Sequence, residues 1–193
     1  RQTHVEPDDD ALWNWAQNAQ IGTHHQVQRP ASEAELQKLI SESHGKIRVI
    51  GSKLSPGRML HVADNDVLLD LSALSGQLAS DEQSVTFGGA TPLEQVYRSL
   101  TDMNRMLASS PGVIAIQTLA GAMATGTHGQ GLQQSSIADE ALAIRMVLAD
   151  GSVREFVRGD ADFPAAQVSR GALGIGTAVT LRTQPFKIFT CHK

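Results

Sequence analysis

Apolar residues recur at helical spacing in two stretches of the chain and at strand spacing in several others. Leu36, Leu39 and Ile40 form one helical stripe. Ser32-Glu33-Ala34-Glu35 precedes it as a capping box, and Gly45 follows as a stop. Leu93, Val96, Tyr97 and Leu100 form the second stripe, entered through Thr91-Pro92-Leu93-Glu94, a further capping box with Pro at the first helical position. Strands are predicted over Ile47–Ile50, Val67–Ser72, Ser84–Gly89 and Thr177–Thr183, and a hairpin over Ile144–Phe156 around Asp150-Gly151. A short helix is expected over Ala11–Ala16, capped by Asp10. Trp13 and Trp15 cannot both face one core from a helix, and packing is favoured over a partner surface for them. Pro30 ends an extended segment. The stretch from Gly159 to Ser169 reads as partly helical, with Asp162 as cap and Pro164 in the first turn. Residues 1–10 are polar and read as a solvated start.

One stretch fits neither period. Residues 118–131, from Thr118 to Gly131, are mostly glycine, alanine and threonine, with one histidine and no formal charge. Glycine costs a helix interior about 1 kcal/mol relative to alanine, and a strand of such residues has little to pack. The expectation is a loop, either a tight structural turn or a cradle whose amides and hydroxyls lie against something flat or anionic. Gly171-Ala172-Leu173-Gly174-Ile175-Gly176 is also glycine-rich. Its spacing is the reverse of a dinucleotide fingerprint, and a strand follows it rather than a helix.

Composition narrows the class. The chain has 193 residues, 41% hydrophobic and 19% charged, with a net charge of -4. That fits one sizeable core or two small subdomains and gives no electrostatic footprint for nucleic acid. No apolar run reaches the ~20 residues of a membrane span. Cys191 is the single cysteine, so no internal disulfide and no thiolate metal cage are expected. His24-His25 lacks further ligands at usable spacing, and no metal site is expected. The compartment is left open, with the cytoplasm favoured. The chain starts at Arg1 rather than Met and is expected to be trimmed or processed. Gly51-Ser52-Lys53 is not a Walker A ending. That motif needs Gly directly before the Lys and Ser or Thr after it, where Ser52 and Leu54 stand, and Ile47 occupies its first glycine position.

Three segments now line up in order: Val49-Ile50-Gly51-Ser52-Lys53-Leu54-Ser55-Pro56, Ala124-Thr125-Gly126-Thr127-His128-Gly129 and Gly171-Ala172-Leu173-Gly174-Ile175. With Ala149-Asp150-Gly151-Ser152 they resemble the FAD-binding domain of the vanillyl-alcohol-oxidase superfamily, in its aldonolactone oxidase and alditol oxidase branch. The resemblance runs from about Trp15 to about Pro185. It implies an α+β, PCMH-type fold of two α+β subdomains, about 15–80 and 81–185, with FAD between them. Residues 1–14 would be an extension and 186–193 the start of a linker. Val49, Ile50, Gly51, Ser52, Lys53, Leu54 and Ser55 would wrap the pyrophosphate. Thr118, Gly121, Thr125, Gly126, Thr127 and His128 would line the flavin and phosphates, and Ile175 and Gly176 would meet the adenine end or the ribose. The loop position that often holds a flavin-linked histidine is Leu54 here, as in the plant galactonolactone dehydrogenases, so FAD is expected to be non-covalent. The loop pattern also expects Gly where Lys53 stands. A side chain there would either obstruct the backbone or pair its ammonium with the pyrophosphate.

The implied activity is oxidation of a sugar, polyol or aldonolactone by hydride transfer to flavin N5. The substrate would be held by a further C-terminal domain or a separate subunit, expected where this chain stops, and no catalytic side chain is assigned to the chain itself. The competing expectation is a non-catalytic module that keeps the fold for assembly or interaction.

Overall fold

The computed structural model describes residues 9–109, 111, 114–188 and 190. Most of the expected solvated start, Cys191 and half of the expected linker lie outside the described residues.

Two sheets organise the molecule. The smaller is parallel, in the order β3 (Val27–Gln28), β5 (Val67–Asp70), β4 (Ile47–Ile50). Helix α1 (Glu33–Glu42) connects β3 to β4. Ser32 caps it by accepting the Glu35 N–H at 3.2 Å, while the Glu35 carboxylate reaches back to the Ala31 N–H at 2.7 Å, one residue before the cap. Leu36 and Ile40 of α1 pack on Leu69 and Leu71, as their spacing predicts.

The larger sheet is antiparallel. Its order is β10 (Val153–Val157), β9 (Ala141–Leu148), β11 (Gly174–Arg182), β7 (Ser84–Gly88), β6 (Gln77–Ser80). The link between the two sheets therefore runs through residues 71–76. Helices α2 (Leu93–Asp102), α3 (Leu119–Ala124) and α4 (Phe163–Gln167) cover this sheet. Leu93, Val96, Leu100, Leu119, Met123 and Phe163 join Val85, Phe87, Ile144 and Leu181 in its core. Val147 of β9 instead packs into the cluster around α1 and β5, so apolar burial crosses between the halves. Two small antiparallel pairs complete the fold. They are β1 (Ala11–Trp13) with β2 (Gln20–Thr23), and β8 (Arg105–Met106) with β12 (Gln184–Pro185).

Four local expectations are corrected. Ala11–Trp13 is a strand, not a helix. Leu12 alone of the three is buried, and the Asn14 side chain closes the turn that follows by accepting the Asn18 and Ala19 N–H groups at 3.1 and 3.2 Å. Trp13 and Trp15 are both exposed rather than packed. At α2 the cap residue is Pro92, and the Thr91 hydroxyl turns away to donate to the Gly88 carbonyl at 2.6 Å. The first helical N–H groups, on Leu93 and Glu94, donate instead to Gln117 and Ala115 carbonyls at 2.8 Å each. Residues 119–124 form a helix despite Gly121. Leu119, Ala122 and Met123 fall at i, i+3 and i+4 and are buried, and that packing outweighs a glycine penalty of about 1 kcal/mol.

Candidate functional site

A cavity of about 570 Å³ opens between the two sheets. One wall is the carboxyl end of β4 with the loop after it: Val49, Ile50, Gly51, Ser55, Met59 and Leu60. The end of a parallel strand is where an open sheet leaves backbone groups free for a ligand. The other wall is Thr118 with residues Ala120, Gly121, Ala124 and Thr125 of α3 and its end, joined by Gly174, Ile175 and Gly176 of β11. Gln167, Ser169, Arg170 and Gly171 close one side.

Gly51 stands against Thr118 of the facing wall. A Cβ placed there would lie 2.8 Å from Thr118 Oγ1 and 2.9 Å from its Cγ2. At Gly121 it would lie 2.8 Å from the same hydroxyl. Gly89 is part of this wall. Its N–H donates to the Thr177 carbonyl at 2.8 Å and its carbonyl accepts the Ala120 N–H at 2.9 Å, joining the end of β7 to β11 and α3. A bulge in β11 between Gly176 and Ala178 displaces Thr177, whose hydroxyl donates to the Glu33 carboxylate at 2.7 Å. Arg145 of β9 grips the same carboxylate at 2.8 to 3.3 Å. Glu33 begins α1, so this group ties the small-sheet half to the bulge beside the cavity.

The Arg145 guanidinium beside Glu33 holds its carboxyl below the ordinary glutamate value, against an opposing effect of partial burial, and the Thr177 hydroxyl adds to the lowering. A depressed folded value means that this stabilisation is fully present above the ordinary glutamate pKa and is lost as pH falls through the folded one. Glu33→Gln is expected to lower stability by up to about 1 kcal/mol at pH 7. The gap to wild type should close below about pH 4. Thermal melts of both proteins from pH 7 to pH 3 check this, and a gap that stays constant across that range contradicts it.

Of the residues singled out from sequence, Val49, Ile50, Gly51, Ser55, Thr118, Gly121, Thr125, Ile175 and Gly176 line the cavity together. The other six do not. Ser52 turns its hydroxyl to the Ile116 carbonyl. Lys53 is held by its carbonyl, which accepts the Trp15 N–H at 2.9 Å, and Leu54 is half-buried beside it. After Thr125 the chain leaves the cavity. Gly126 has φ +67°, but a Cβ there would face Val168 at 3.7 Å. Thr127 donates to the Ala122 carbonyl at 2.9 Å and accepts the Ile137 N–H at 3.0 Å, and His128 pairs with Ser136. Gly89, Ala90, Ala120, Met59, Gln167, Ser169 and Arg170 line the cavity without having been singled out. Small residues at the end of β7 were a readable signal for the first two. Nothing in the local sequence marks Arg170, which the turn between α4 and β11 brings in.

Lys53 has φ +57°. The backbone there is in the conformation glycine adopts cheaply, as the loop pattern requires, and a side chain in it costs about 1–2 kcal/mol.

The lining fits a flat, anionic dinucleotide. Its volume lies within the roughly 300–1,000 Å³ usual for small-molecule sites. Its glycines and alanines permit close approach, and Ser55, Thr118, Thr125 and Ser169 carry hydroxyls. Arg48 and Arg170 are its only charged residues among those described, with no carboxylate. No group of three or more metal-ligating side chains that could hold an ion occurs among the described residues. No described helix is long and apolar enough to cross a membrane.

Two sheets closing on such a cleft define a cofactor-binding domain for an extended anionic ligand. Residues 25–156 match the family model described as FAD binding domain, and the chain belongs to that family, the α+β, PCMH-type flavin domain of the vanillyl-alcohol-oxidase superfamily. L-gulono-1,4-lactone dehydrogenase of Mycobacterium tuberculosis is 33% identical over 189 residues, 94% of this chain and 42% of that protein. Alditol oxidase of a Streptomyces species is 31% identical over 177 residues, 91% of this chain and 42% of that protein. L-gulonolactone oxidase of mouse is 27% identical over 184 residues, 89% of this chain and 40% of that protein. The chain thus spans about two fifths of the length of these relatives. Among solved structures, cholesterol oxidase from Brevibacterium sterolicum superimposes with a TM-score of 0.79 at 19% identity, over 91% of this chain and 37% of that one. At that identity the likeness concerns the fold.

Proposed function

We propose that the cleft seats FAD and that the chain is the flavin-binding part of an oxidoreductase acting on a CH–OH group of a sugar, polyol or aldonolactone. The observation that carries the reading is the cleft itself, a small-residue cavity between the sheets in a chain matching lactone- and alditol-oxidising proteins over more than nine tenths of its length. In this reading the loop from Val49 to Ser55 wraps the diphosphate, Thr118, Gly121 and Thr125 meet the ring system and phosphates, and Ile175 and Gly176 lie toward the adenine end. Bound flavin supplies acceptance of a hydride at N5 from an alcohol carbon. The residues of this chain supply position, close approach and a wall against water. In this reading a further domain or a separate subunit holds the substrate; the chain spans about two fifths of the length of its relatives, which supports it.

The test is reconstitution with FAD followed by anaerobic addition of L-gulono-1,4-lactone or a polyol. The full protein should lose its oxidised-flavin absorbance on substrate addition. The 193-residue chain alone should bind FAD but bleach very slowly. Absence of FAD binding by both would refute the assignment.

The flavin is held non-covalently in this reading, because Leu54 offers no nucleophile at the loop position. Acid precipitation of the loaded protein is expected to leave all the flavin in the supernatant. Flavin fluorescence on the denatured band in a gel would contradict it.

A further inference from the structure

We propose that Arg170 is the residue through which this site selects the adenine half of its ligand: its planar guanidinium lies along one face of the base and makes affinity depend on that base. The inference rests on the reading of the cleft as the FAD site, with Ile175 toward the adenine end. Arg170 lines the cavity beside Gly171 and the first residues of β11, Gly174 and Ile175. Its backbone is fixed there. The Arg170 N–H donates to the Ala124 carbonyl at the end of α3 at 3.1 Å, and the Ala172 N–H closes the turn on the Ser169 carbonyl at 2.9 Å. Both central residues of that turn have positive φ, Arg170 at +51° and Gly171 at +76°. Such a turn favours Asn, Asp or Gly at its first central position, and an arginine there is strained.

Nothing inside the chain holds the guanidinium. Among the described residues it makes no ion pair, hydrogen bond or ring contact, whereas Arg145 and Arg182 hold carboxylates and Arg154 and Arg158 lie over phenylalanine rings. Arg48, the other cation of the lining, already has an anion in reach. That anion is Asp66, whose carboxyl is lowered first by the Ala63 N–H and then by the Lys46 N–H, with the Lys46 and Arg48 charges adding to it. No aromatic side chain lines the cavity among the described residues. A base seated there meets aliphatic side chains such as Ile47 and Ile175, and needs a planar side chain for its other face. The Gln167 amide is tied to the Ala138 carbonyl at 2.9 Å, which leaves the guanidinium of Arg170. Arginine, planar and weakly hydrated, stacks on ring faces in a way that lysine cannot match.

The experiment is a titration of the chain with FAD and with FMN, which carries a phosphate but no adenine, for wild type, Arg170→Asn and Arg170→Lys, with melts of each ligand-free protein. Arg170→Asn should melt at or above the wild-type temperature, because Asn suits the left-handed turn position. It should nevertheless bind FAD at least about fivefold more weakly and bind FMN as wild type does. Arg170→Lys, which keeps the charge and loses the plane, should bind FAD as weakly as Arg170→Asn. Arg170→Asn binding FAD as tightly as wild type would overturn the proposal. An equal loss for FMN would overturn it too, assigning the effect to the shape of the turn. Full FAD affinity in Arg170→Lys would overturn it by making the contact one of charge with a phosphate. A wild-type chain that binds neither flavin contradicts the cleft assignment as well; FAD binding that is indifferent to Arg170 bears on this residue alone.

Discussion

Gly89→Ala is expected to destabilise the chain by about 3 kcal/mol, near the upper end for overpacking a close-fitted position. For a domain of this size that corresponds to roughly 6–12 °C in melting temperature. The reason is the identity of the obstacle. A Cβ at Gly89 would lie 2.2 Å from the Gly176 carbonyl oxygen and 3.0 Å from its carbon. A backbone carbonyl within β11 cannot rotate aside as a side chain can. Relief requires β7 and β11 to separate, or Gly89 to give up its two hydrogen bonds to Thr177 and Ala120. Either movement shifts Gly176 and α3, so FAD binding should fall together with stability. Thermal denaturation of the ligand-free protein is the check. A melting temperature within 2 °C of wild type, by the scaling above, would mean that the junction is looser than its geometry indicates.

Gly51→Val is expected to act in the opposite proportion, weakening FAD binding at least about 30-fold, or about 2 kcal/mol, while costing the fold little. Gly51 is exposed to the cleft, and the atoms a new Cβ would meet are the Oγ1 and Cγ2 of Thr118 on the facing wall. A β-branched residue there must push the walls apart or drive the Thr118 side chain into the space the ligand needs. The compensating change is specific. Removing Oγ1 and Cγ2 with Thr118→Ala leaves the Thr118 Cβ at 3.4 Å from the new methyl in Gly51→Ala, an acceptable contact. The double variant Gly51→Ala with Thr118→Ala should therefore recover part of the affinity lost by Gly51→Ala. Flavin titrations of wild type, Gly51→Val, Gly51→Ala, Thr118→Ala and the double variant, each checked by circular dichroism, decide it. Additive losses would show that the two residues do not meet across the cleft.

Much of this arrangement was readable from residue order. Ser32 and Glu35 announce α1, and the alternation around Asp150-Gly151 announces the β9–β10 hairpin, because both signals are local and chemically specific. The family resemblance correctly pointed to the FAD-binding fold. What escaped was set by distant parts of the chain. Residues 119–124 open a stretch, 118–131, that looks too rich in small residues for a helix, and the buried face under Leu119 and Met123 makes one. Thr91 looks like a helix cap until Gly88 offers its hydroxyl a partner. Gly89 and Arg170 reach the cleft because β11 lies between β9 and β7, a pairing between segments far apart in sequence. Conversely, only two of the six residues of the Ala-Thr-Gly-Thr-His-Gly run that stood out most in the sequence line the cavity. Ala124 and Thr125 line it, and the residues after them turn back toward Ile137.

Hydrogen–deuterium exchange with and without FAD tests the location of the site most directly. FAD seated between the sheets predicts slowed exchange in three separate segments, around residues 47–55, 118–125 and 169–176. The edge strand at 77–80 and the hairpin turn at 149–153 should exchange as before. Protection confined to any other surface, or none in the three segments at saturating FAD, would contradict the cleft as the flavin site.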